Sequence, residues 1–335
     1  MQKTSAIPIL ILCSTPFLII ATILLSILYG AKDISILSVW NAFMHYDPSN
    51  VDHNVILTSR LPRVLAALLV GAFLAISGAL MQGITRNYLA SPSIMGVSDG
   101  SAFVITILMV VSPNLSSTAM ILYSIAGSAL GAALVLGFGS LVPNGLSPIR
   151  LAIIGTVIGT FLSGISSAIA SYFQVSQNIS FWYNAKLHNV DMDVLTLSVP
   201  AGIIGIFLAL FISKSVTILS LGDEVSTNLG ERTGLIKTLA ILAVVILTGT
   251  TVALVGKIGF VGLIIPHMTR FLIGIDYKWL IPCAGAIGAV FLALCDVISR
   301  FVNYPFETPI GVVTSLIGIP FFLYLVKKKG GEKNA

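Results

Sequence analysis

Ten apolar stretches follow one another along the chain, with short polar segments between them. A helix needs about 20 apolar residues to cross the hydrocarbon core of a membrane. In that core each backbone N–H and C=O group must find its hydrogen-bond partner within the protein, and an α-helix provides those partners along its own length. The sequence therefore predicts an all-α integral membrane protein with ten transmembrane helices.

The eighth of these stretches is too short for an ordinary span and contains Pro266, which indicates a broken or tilted helix shielded by its neighbours. The first stretch follows Lys3, as in a signal peptide, but it exceeds the roughly 7–15 apolar residues of such a segment, so we expect a retained span. The expected spans are residues 7–29, 64–83, 94–111, 117–141, 150–172, 195–213, 236–255, 260–273, 280–298 and 310–326.

Charged residues are too few to cover a surface that faces water. They make up 9% of this chain, whereas a soluble globular protein carries about 25%. This excludes secreted enzymes, cytosolic α/β enzymes and nucleic-acid-binding modules. The net charge of +5 comes from basic residues scattered singly along the chain, so it predicts no nucleic-acid partner.

The basic residues near the span ends predict the orientation. With the N-terminus in the cytoplasm, twelve basic residues lie inside and six outside, which agrees with the positive-inside rule. An even number of spans then places both termini in the cytoplasm of a multi-pass protein of the cell membrane. The basic run at residues 327–329 is expected to contact membrane lipid. The six outer residues are Lys32, Arg60, Arg63, Lys186, Lys257 and Arg300.

The sequence contains no motif for catalysis or for nucleotide binding. The phosphate-binding pattern GxxxxGK[ST] is absent, and its nearest fragment, Gly256-Lys257, continues with an isoleucine. The three cysteines are isolated from one another, and the histidines of the outer loops lack metal-ligand spacing. We expect neither an enzyme nor a resident cofactor or metal.

Three arginines on the expected outer side are candidate functional residues. Arg60 and Arg63 precede the second span, and Arg300 follows the ninth. Each needs a partner, which can be a lipid phosphate, a carboxylate within the chain or an acidic surface on another protein. Asp296 lies one helical turn before Arg300 in an i, i+4 arrangement. From the residues alone, a role in docking another protein and a structural role within the chain are equally supported for these arginines.

The longest cytoplasmic polar segment, residues 214–235, is the second candidate. Two Leu-Gly pairs bracket a short stretch that begins with acidic residues, which favour a helix N-terminus, and ends with glycine, which favours a C-terminal cap. Such a short helix cannot bury its apolar edge alone, so we expect it on the membrane surface or in a groove of a cytoplasmic partner. Its candidate residues are Leu221, Gly222, Asp223, Glu224, Leu229 and Gly230.

Asp99 is the only ionisable residue that we expect near the interior of a span. A charge at the bilayer centre costs about 2.5–3.5 kcal/mol on the insertion scale and is seldom kept without a use. Asp99 lies close enough to the expected helix end to contact water. An ion-coupled secondary carrier is therefore weakened as an alternative, but not excluded.

Four blocks in order along the chain resemble the FecCD family of ABC-importer permeases, which take up iron siderophores, haem and vitamin B12. The resemblance covers nearly the whole chain. The blocks are RLPRVLAALLVGAFLAISGALMQGITRNYLASPSIMGVSDG, SLGDEVSTNLG, GKIGFVGLIIPHMTRFLIGIDYKWLIP and SRFVNYPFETPIGVVTSLIGIPFFLYL.

The resemblance implies the type II ABC-importer permease fold, as a single domain over residues 1–335 with the cytoplasmic coupling loop at 214–235. It also implies a second permease subunit, two cytoplasmic ABC ATPases and an extracytoplasmic binding protein, which is a lipoprotein in Gram-positive cells. The second and fifth spans would line the route, and the fifth and tenth would move.

By the same resemblance, Arg60, Arg63 and Arg300 match arginines that pair with acidic residues of the binding protein. Residues 221–230 match the helices that enter a cleft on the ATPase. The positions that match the cytoplasmic gate are Asn87, Leu89, Pro148 and Ile149.

The chain departs from the family pattern at three places. Tyr88 stands where the family often has proline, beside the gate, and Ser226 stands where alanine is usual. The stretch at residues 182–186 carries Lys186 near the outer mouth, in place of the common WxxGS ending.

The sequence as a whole resembles the siderophore permeases of Gram-positive bacteria, so a ferric siderophore is the expected cargo. The binding protein would supply the affinity, and the pathway itself should bind weakly. Haem and cobalamin remain open as cargo. An ion-coupled secondary transporter and a non-transporting membrane scaffold remain open as other classes.

Overall fold

The structure is a computed structural model that describes residues 6–30, 32–112, 116–143, 147–177, 187, 190, 192–304 and 306–331. The side chains of Pro148 and of residues 324–331 lie outside this description. So do the departure at residues 182–186 and both ends of the chain.

Helices account for most of the described chain. A π-helical turn, Ile56–Arg60, joins α3 to α4. The helices are α1 (Ala6–Leu28), α2 (Ile36–Met44), α3 (Val51–Val55), α4 (Leu61–Thr85), α5 (Val97–Val111), α6 (Ser117–Leu141), α7 (Pro148–Tyr172), α8 (Met192–Phe211), α9 (Ser213–Leu219), α10 (Asp223–Asn228), α11 (Thr233–Val255), α12 (Val261–Ile273), α13 (Tyr277–Ser299) and α14 (Ile310–Gly331).

The expected spans coincide with ten of these helices. Among the described residues, seven are long and apolar enough to cross a membrane, namely α1, α4 with its preceding turns, α6, α7, α8, α11 and α13. The helices α5 and α12 and the described part of α14 are shorter. The prediction of an all-helical membrane protein is confirmed, but length and composition alone account for seven crossings rather than ten.

Polar residues between the apolar stretches fix where several helices begin. Ser35, Ser116 and Asp276 each accept a hydrogen bond from a backbone N–H of the first turn that follows. The first N–H groups of a helix have no partner within it, and a side-chain oxygen at this position supplies one. The short polar segments therefore define the helix ends as well as separating the spans.

The centre of the bundle is α4, which packs against α11, α12 and α13. Nearly all of its side chains are buried. A Cβ atom on Gly71 would collide with the carbonyl of Gly288 in α13, and one on Gly78 would collide with the carbonyl of Gly262 in α12. Glycine thus lets these helix backbones come close enough to touch, as small residues do in membrane helix packing.

Two helices begin inside the bundle rather than at its ends. Gly96, which precedes α5, lies against Val135 in α6 and Gly155 in α7. The first turn of α12 lies against Gly78, well inside α4. The backbone before α12 is irregular, with positive φ angles of 80° at Gly256 and 68° at Phe260. The chain between α11 and α12 therefore breaks its helical hydrogen bonding within the bundle.

The helices α7 and α14 lie at the edge of this packing. The main contacts of α7 are with α5 and α6, and those of α14 are with α12 and α13. Large apolar side chains of α7 are exposed, including Ile153, Val157 and Phe161, which share one helix face. In a membrane such a face is covered by lipid or by another subunit.

Candidate functional site: a buried charge cluster and a tethered short helix

Arg63 stands in the first turn of α4 and binds two carboxylates. Its Nε donates to both carboxylate oxygens of Asp296, at 2.9 and 3.1 Å. Its Nη1 donates to both oxygens of Glu307, at 2.7 and 2.9 Å. Asp296 also accepts from Nη2 of Arg300 at 2.5 Å. One buried carboxylate thus lies between two buried guanidinium groups and ties α4 to the end of α13.

The other two arginine contacts are with the end of α1. Arg300 donates to the backbone oxygen and the hydroxyl of Ser26, at 2.7 and 2.8 Å. Arg60 donates to the backbone oxygen of Ile27 at 2.5 Å and to that of Lys32. The last carbonyl groups of a helix have no partner within it. These arginines supply the missing donors and hold the end of α1 against α4 and α13.

Removal from water lowers the pKa of the Arg300 guanidinium, and the negative charge of Asp296 acts in the opposite direction. Arginine starts from so high a pKa that it keeps its charge here. The internal partner expected for Arg300 is therefore confirmed. The three candidate docking arginines are all buried, and the accessible acidic group beside them is Glu307, whose side chain is 41% exposed.

The short helix predicted between the sixth and seventh spans is present as α10. It follows Gly222 and precedes Gly230, both with positive φ. The hydroxyl of the buried Ser226 donates to the backbone oxygens of Ile218 and Gly222, at 3.0 and 2.7 Å. This serine, where the family pattern has alanine, fixes α10 against α9.

Asp223 ties α10 to two other helices. It accepts a hydrogen bond from Nη2 of Arg86 at 3.2 Å and pairs with Lys237 of α11 at 3.0 Å. Arg86 is the residue that ends α4. Glu224 is exposed, as are Leu221 and Leu229, at 55% and 62%. The helix thus has one side anchored by charge and an apolar edge open to a partner.

A cavity of about 280 Å³ lies beside this anchor. Its walls are mainly apolar side chains of α4, α5, α6, α7 and α11, including Met81, Leu136 and Leu151. The ion-paired Arg86, Asp223 and Lys237 also line it. Because space rather than packed side chains lies here, the charged contacts are a main mechanical link between α10 and the bundle.

The candidate gate residues lie on two separate elements. Asn87 accepts a hydrogen bond from the N–H of Leu89 at 3.0 Å, which shapes the turn after α4. Pro148 begins α7, and the next residue, Ile149, is exposed. No side-chain hydrogen bond among the described residues joins the two elements.

Tyr88 connects the turn after α4, which carries the candidate gate residues Asn87 and Leu89, to α12 and α14. The guanidinium of Arg270 lies 4.3 Å from the centre of the Tyr88 ring. His267 meets Tyr88 edge to face at 6.3 Å and meets Phe321 of α14 in the same way at 6.1 Å. Only the departure from proline at position 88 pointed to this chain of contacts in the sequence.

Sequence reasoning missed a pair of charges within the bundle. Nζ of Lys257 lies 2.5 Å from Oδ1 of Asp99. The sequence predicted Lys257 at the outer surface and Asp99 near the start of the third span, on the other side of the membrane. The two meet because α11 ends, and α5 begins, inside the bundle. The glycines around the break between α11 and α12 were the sequence signal that could have revealed this contact. Within the described residues, no group of His, Cys, Asp or Glu could hold a metal ion.

A bundle of apolar helices long enough to cross a membrane defines an integral membrane protein. The profile of the FecCD transport family matches residues 18–328. This chain belongs to the FecCD transport family.

Two curated relatives from Bacillus subtilis (strain 168) show what the chain is similar to. It is 59% identical over 325 residues to the iron-uptake system permease protein FeuB, covering 97% of each chain. It is 52% identical to the iron(3+)-hydroxamate import system permease protein FhuB, covering 91% of this chain and 79% of that one.

A solved structure shares the fold. It is an inward-facing conformation of an ABC transporter described as of the metal-chelate type, with a TM-score of 0.80 and 32% identity. The match covers 95% of this chain and 99% of that chain.

Replacing Asp296 by Asn tests whether the buried charge cluster stabilises the fold. The change leaves two buried guanidinium groups without their shared carboxylate. Breaking a buried pair in this way lowers the free energy of unfolding by about 3–5 kcal/mol, so the variant should unfold at a lower temperature. Heating the purified protein with a thiol-reactive fluorogenic dye reports unfolding, because Cys283 and Cys295 are buried. A Cys13→Ser background removes the exposed thiol.

The matched control is Asp52→Asn, which breaks the pair between Asp52 and the exposed Lys32. An exposed pair contributes about 0–1 kcal/mol, so this variant should unfold close to the unaltered temperature. If both variants unfold at the same temperature as the parent, the buried charge cluster around Asp296 does not stabilise the bundle.

Proposed function

We propose that this chain is the permease subunit of an ATP-driven ABC importer for ferric siderophores. It would pass cargo from an extracytoplasmic binding protein to the cytoplasm. The observation that carries this proposal is the similarity, over nearly the whole chain, to permeases named for iron uptake and for iron(3+)-hydroxamate import. Because the sequence contains no phosphate-binding loop, the ATP would be hydrolysed on partner chains.

The proposed architecture is one permease domain over residues 1–335, with ten crossings and both termini in the cytoplasm. The three short helices are compatible with crossings for different reasons. The helices α5 and α12 begin within the bundle, where neighbouring helices shield their ends, as membrane proteins require. The apolar part of α14 before its basic run, residues 310–326, is at the short end of the roughly 17–25 residues that a span needs.

The proposed transporter contains a second permease subunit, either a copy of this chain or a related one. The exposed apolar face of α7 is a suitable part of that contact. Two ABC ATPases would bind from the cytoplasm, each receiving α10 and its flanks, with Leu221 and Leu229 as the apolar contacts. Asp223 would transmit the ATPase motion through Arg86 to α4 and through Lys237 to α11. Gly222, Glu224 and Gly230 would shape and orient this helix.

The binding protein, a lipoprotein in a Gram-positive cell, would dock at the outer end around Arg60, Arg63 and Arg300. These guanidinium groups are bound within the chain, so docking requires an exchange of partners. Glu307 is the accessible member of the cluster. A carboxylate of the binding protein would replace Glu307 on Arg63, while Asp296 keeps α4 and α13 together.

The proposed cytoplasmic gate consists of Asn87 and Leu89 on the turn after α4, with Pro148 and Ile149 at the start of α7. The ring contacts from Tyr88 through His267 to α14 support a mechanical link between this turn and the last helix. Because α7 and α14 make fewer contacts than α4, α11 and α13, they are the elements that can move when access alternates.

Uptake of radiolabelled ferric siderophores tests this function in cells with the chain, without it, and with a partner ATPase that cannot hydrolyse ATP. We expect uptake of one ferric siderophore to require both the chain and the active ATPase. Haem and cobalamin serve as comparison cargoes and would identify the other ligand classes. Uptake that needs this chain but continues with the inactive ATPase would show an ion-coupled carrier. Uptake unchanged by loss of the chain would leave a scaffold.

The ATPase contact is tested with the double variant Leu221→Asp/Leu229→Asp. Charges on the apolar edge of α10 cannot enter an apolar cleft without losing their hydration, so the ATPase should no longer copurify with the permease. The control variant Ile36→Asp/Leu37→Asp places the same charges on similarly exposed residues of α2 and should keep the ATPase bound. Normal ATPase recovery with the α10 variant would refute the assigned contact.

A further inference from the structure

Lys257, Asp99 and Ser163 form a polar cluster among apolar helices. The ammonium group of Lys257 lies 2.5 Å from Oδ1 of Asp99 and 3.3 Å from the hydroxyl of Ser163. That hydroxyl donates to Oδ1 of Asp99 at 3.0 Å. The side chain of Lys257 is 29% exposed and that of Asp99 only 13%. The cation is thus the more accessible member, and the carboxylate lies behind it.

The backbone around the cluster is the irregular segment between α11 and α12. Backbone of this kind is tolerated at membrane depth only where it is buried in protein or lines a water-filled space. At Gly259 an added Cβ would meet no atom within 4 Å, and Lys257, Gly259 and Phe260 are all partly exposed. The segment therefore borders open space at Gly259, two residues after the partly exposed Lys257.

The third observation is a row of hydroxyl side chains on α7. Thr156, Thr160, Ser163 and Ser167 follow one another at intervals of four, three and four residues, so they share one face of the helix. Thr156, Thr160 and Ser167 are exposed, and Ser163 is partly buried against Asp99. Polar side chains within membrane segments generally face a bundle interior or a water-filled cavity. The lysine lies midway along this row.

We propose that Lys257 is a contact for the anionic oxygen atoms of the cargo, partway along the pathway. This inference rests on the proposed function, because it takes the cargo to be a ferric chelate with catecholate, hydroxamate or carboxylate oxygens. Asp99 and Ser163 position the ammonium group and balance its charge while no cargo is present. Exchange between Asp99 and a cargo oxygen keeps the contact weak, so that the cargo can leave.

The competing explanation is a structural pair, in which each charge only neutralises the other. The two explanations differ for a variant that removes both charges. The double variant Asp99→Asn/Lys257→Met removes both charges of the pair together, so a purely structural pair predicts an unchanged uptake rate. A cargo contact predicts that the double variant takes up cargo more slowly. The variant Lys257→Arg keeps the cation and should not show this loss of uptake.

Cysteine reactivity measures the local potential without any cargo. In a Cys13→Ser background, Thr160→Cys places a thiol on the hydroxyl row, and Phe161→Cys places one on the neighbouring apolar face. Each is treated with an anionic and a cationic methanethiosulfonate of similar size, in the transporter assembled in membranes. We expect Thr160→Cys to react and Phe161→Cys to remain largely unreactive. The double variant should lower the ratio of anionic to cationic rates at Thr160→Cys about fivefold.

Transport by the same variants tests the cargo contact itself. With the ferric siderophore that the unaltered chain takes up, the double variant should lower the uptake rate about fivefold at equal protein amount and equal ATPase assembly. Lys257→Arg should retain most of the uptake. Normal uptake by the double variant, or an unchanged ratio of thiol reaction rates, overturns the inference. If the unaltered chain takes up no ferric siderophore, the proposed function fails instead, and the thiol measurement still stands.

Discussion

The close approach of α4 to its neighbours is the contact on which the rest of the arrangement depends. Gly71 and Gly78 have no side chains, so carbonyl groups of α13 and α12 can lie directly against α4. Because α12 begins against Gly78, the chain has to break its helix between residues 256 and 260, inside the bundle. That break brings Lys257 to Asp99 at the start of α5. The contact between Lys257 and Asp99 therefore follows from the close approach of α12 to α4 at one small residue, Gly78.

The main ion pairs of the molecule form a buried cluster at one end of α4 and a more exposed pair at the other end. Where α4 begins, Asp296 lies between Arg63 and Arg300 and joins α4 to α13, and Arg300 also holds the end of α1. Where α4 ends, Asp223 holds α10 with a longer, more exposed pair beside a cavity. The buried cluster resists motion, whereas the exposed pair can rearrange at small cost. The same type of interaction thus serves different purposes according to its burial.

Much of this could be predicted from the sequence, because helices in membranes are specified by local features. The positions of the spans followed from apolar length, and α10 followed from acidic residues and glycines at its two ends. The pairing of charges could not be predicted in the same way. Arg63 and Asp296 are 233 residues apart, and Lys257 and Asp99 are 158 apart. Their contacts depend on where helices break and pack, which no local pattern encodes. The buried state of Arg60 is unpredicted for the same reason.

The central claim is that a fixed core of α4, α11 and α13 works against a moving α7 when partner chains bind ATP. Distances between spin labels in the assembled transporter test it directly. One pair joins Leu242 of α11 to Lys278 of α13, and the other joins Ile153 of α7 to Lys278; all three residues are exposed. We predict that ATP shifts the second distance beyond its distribution width and leaves the first unchanged. A shift in the first distance, or in neither, would contradict this account.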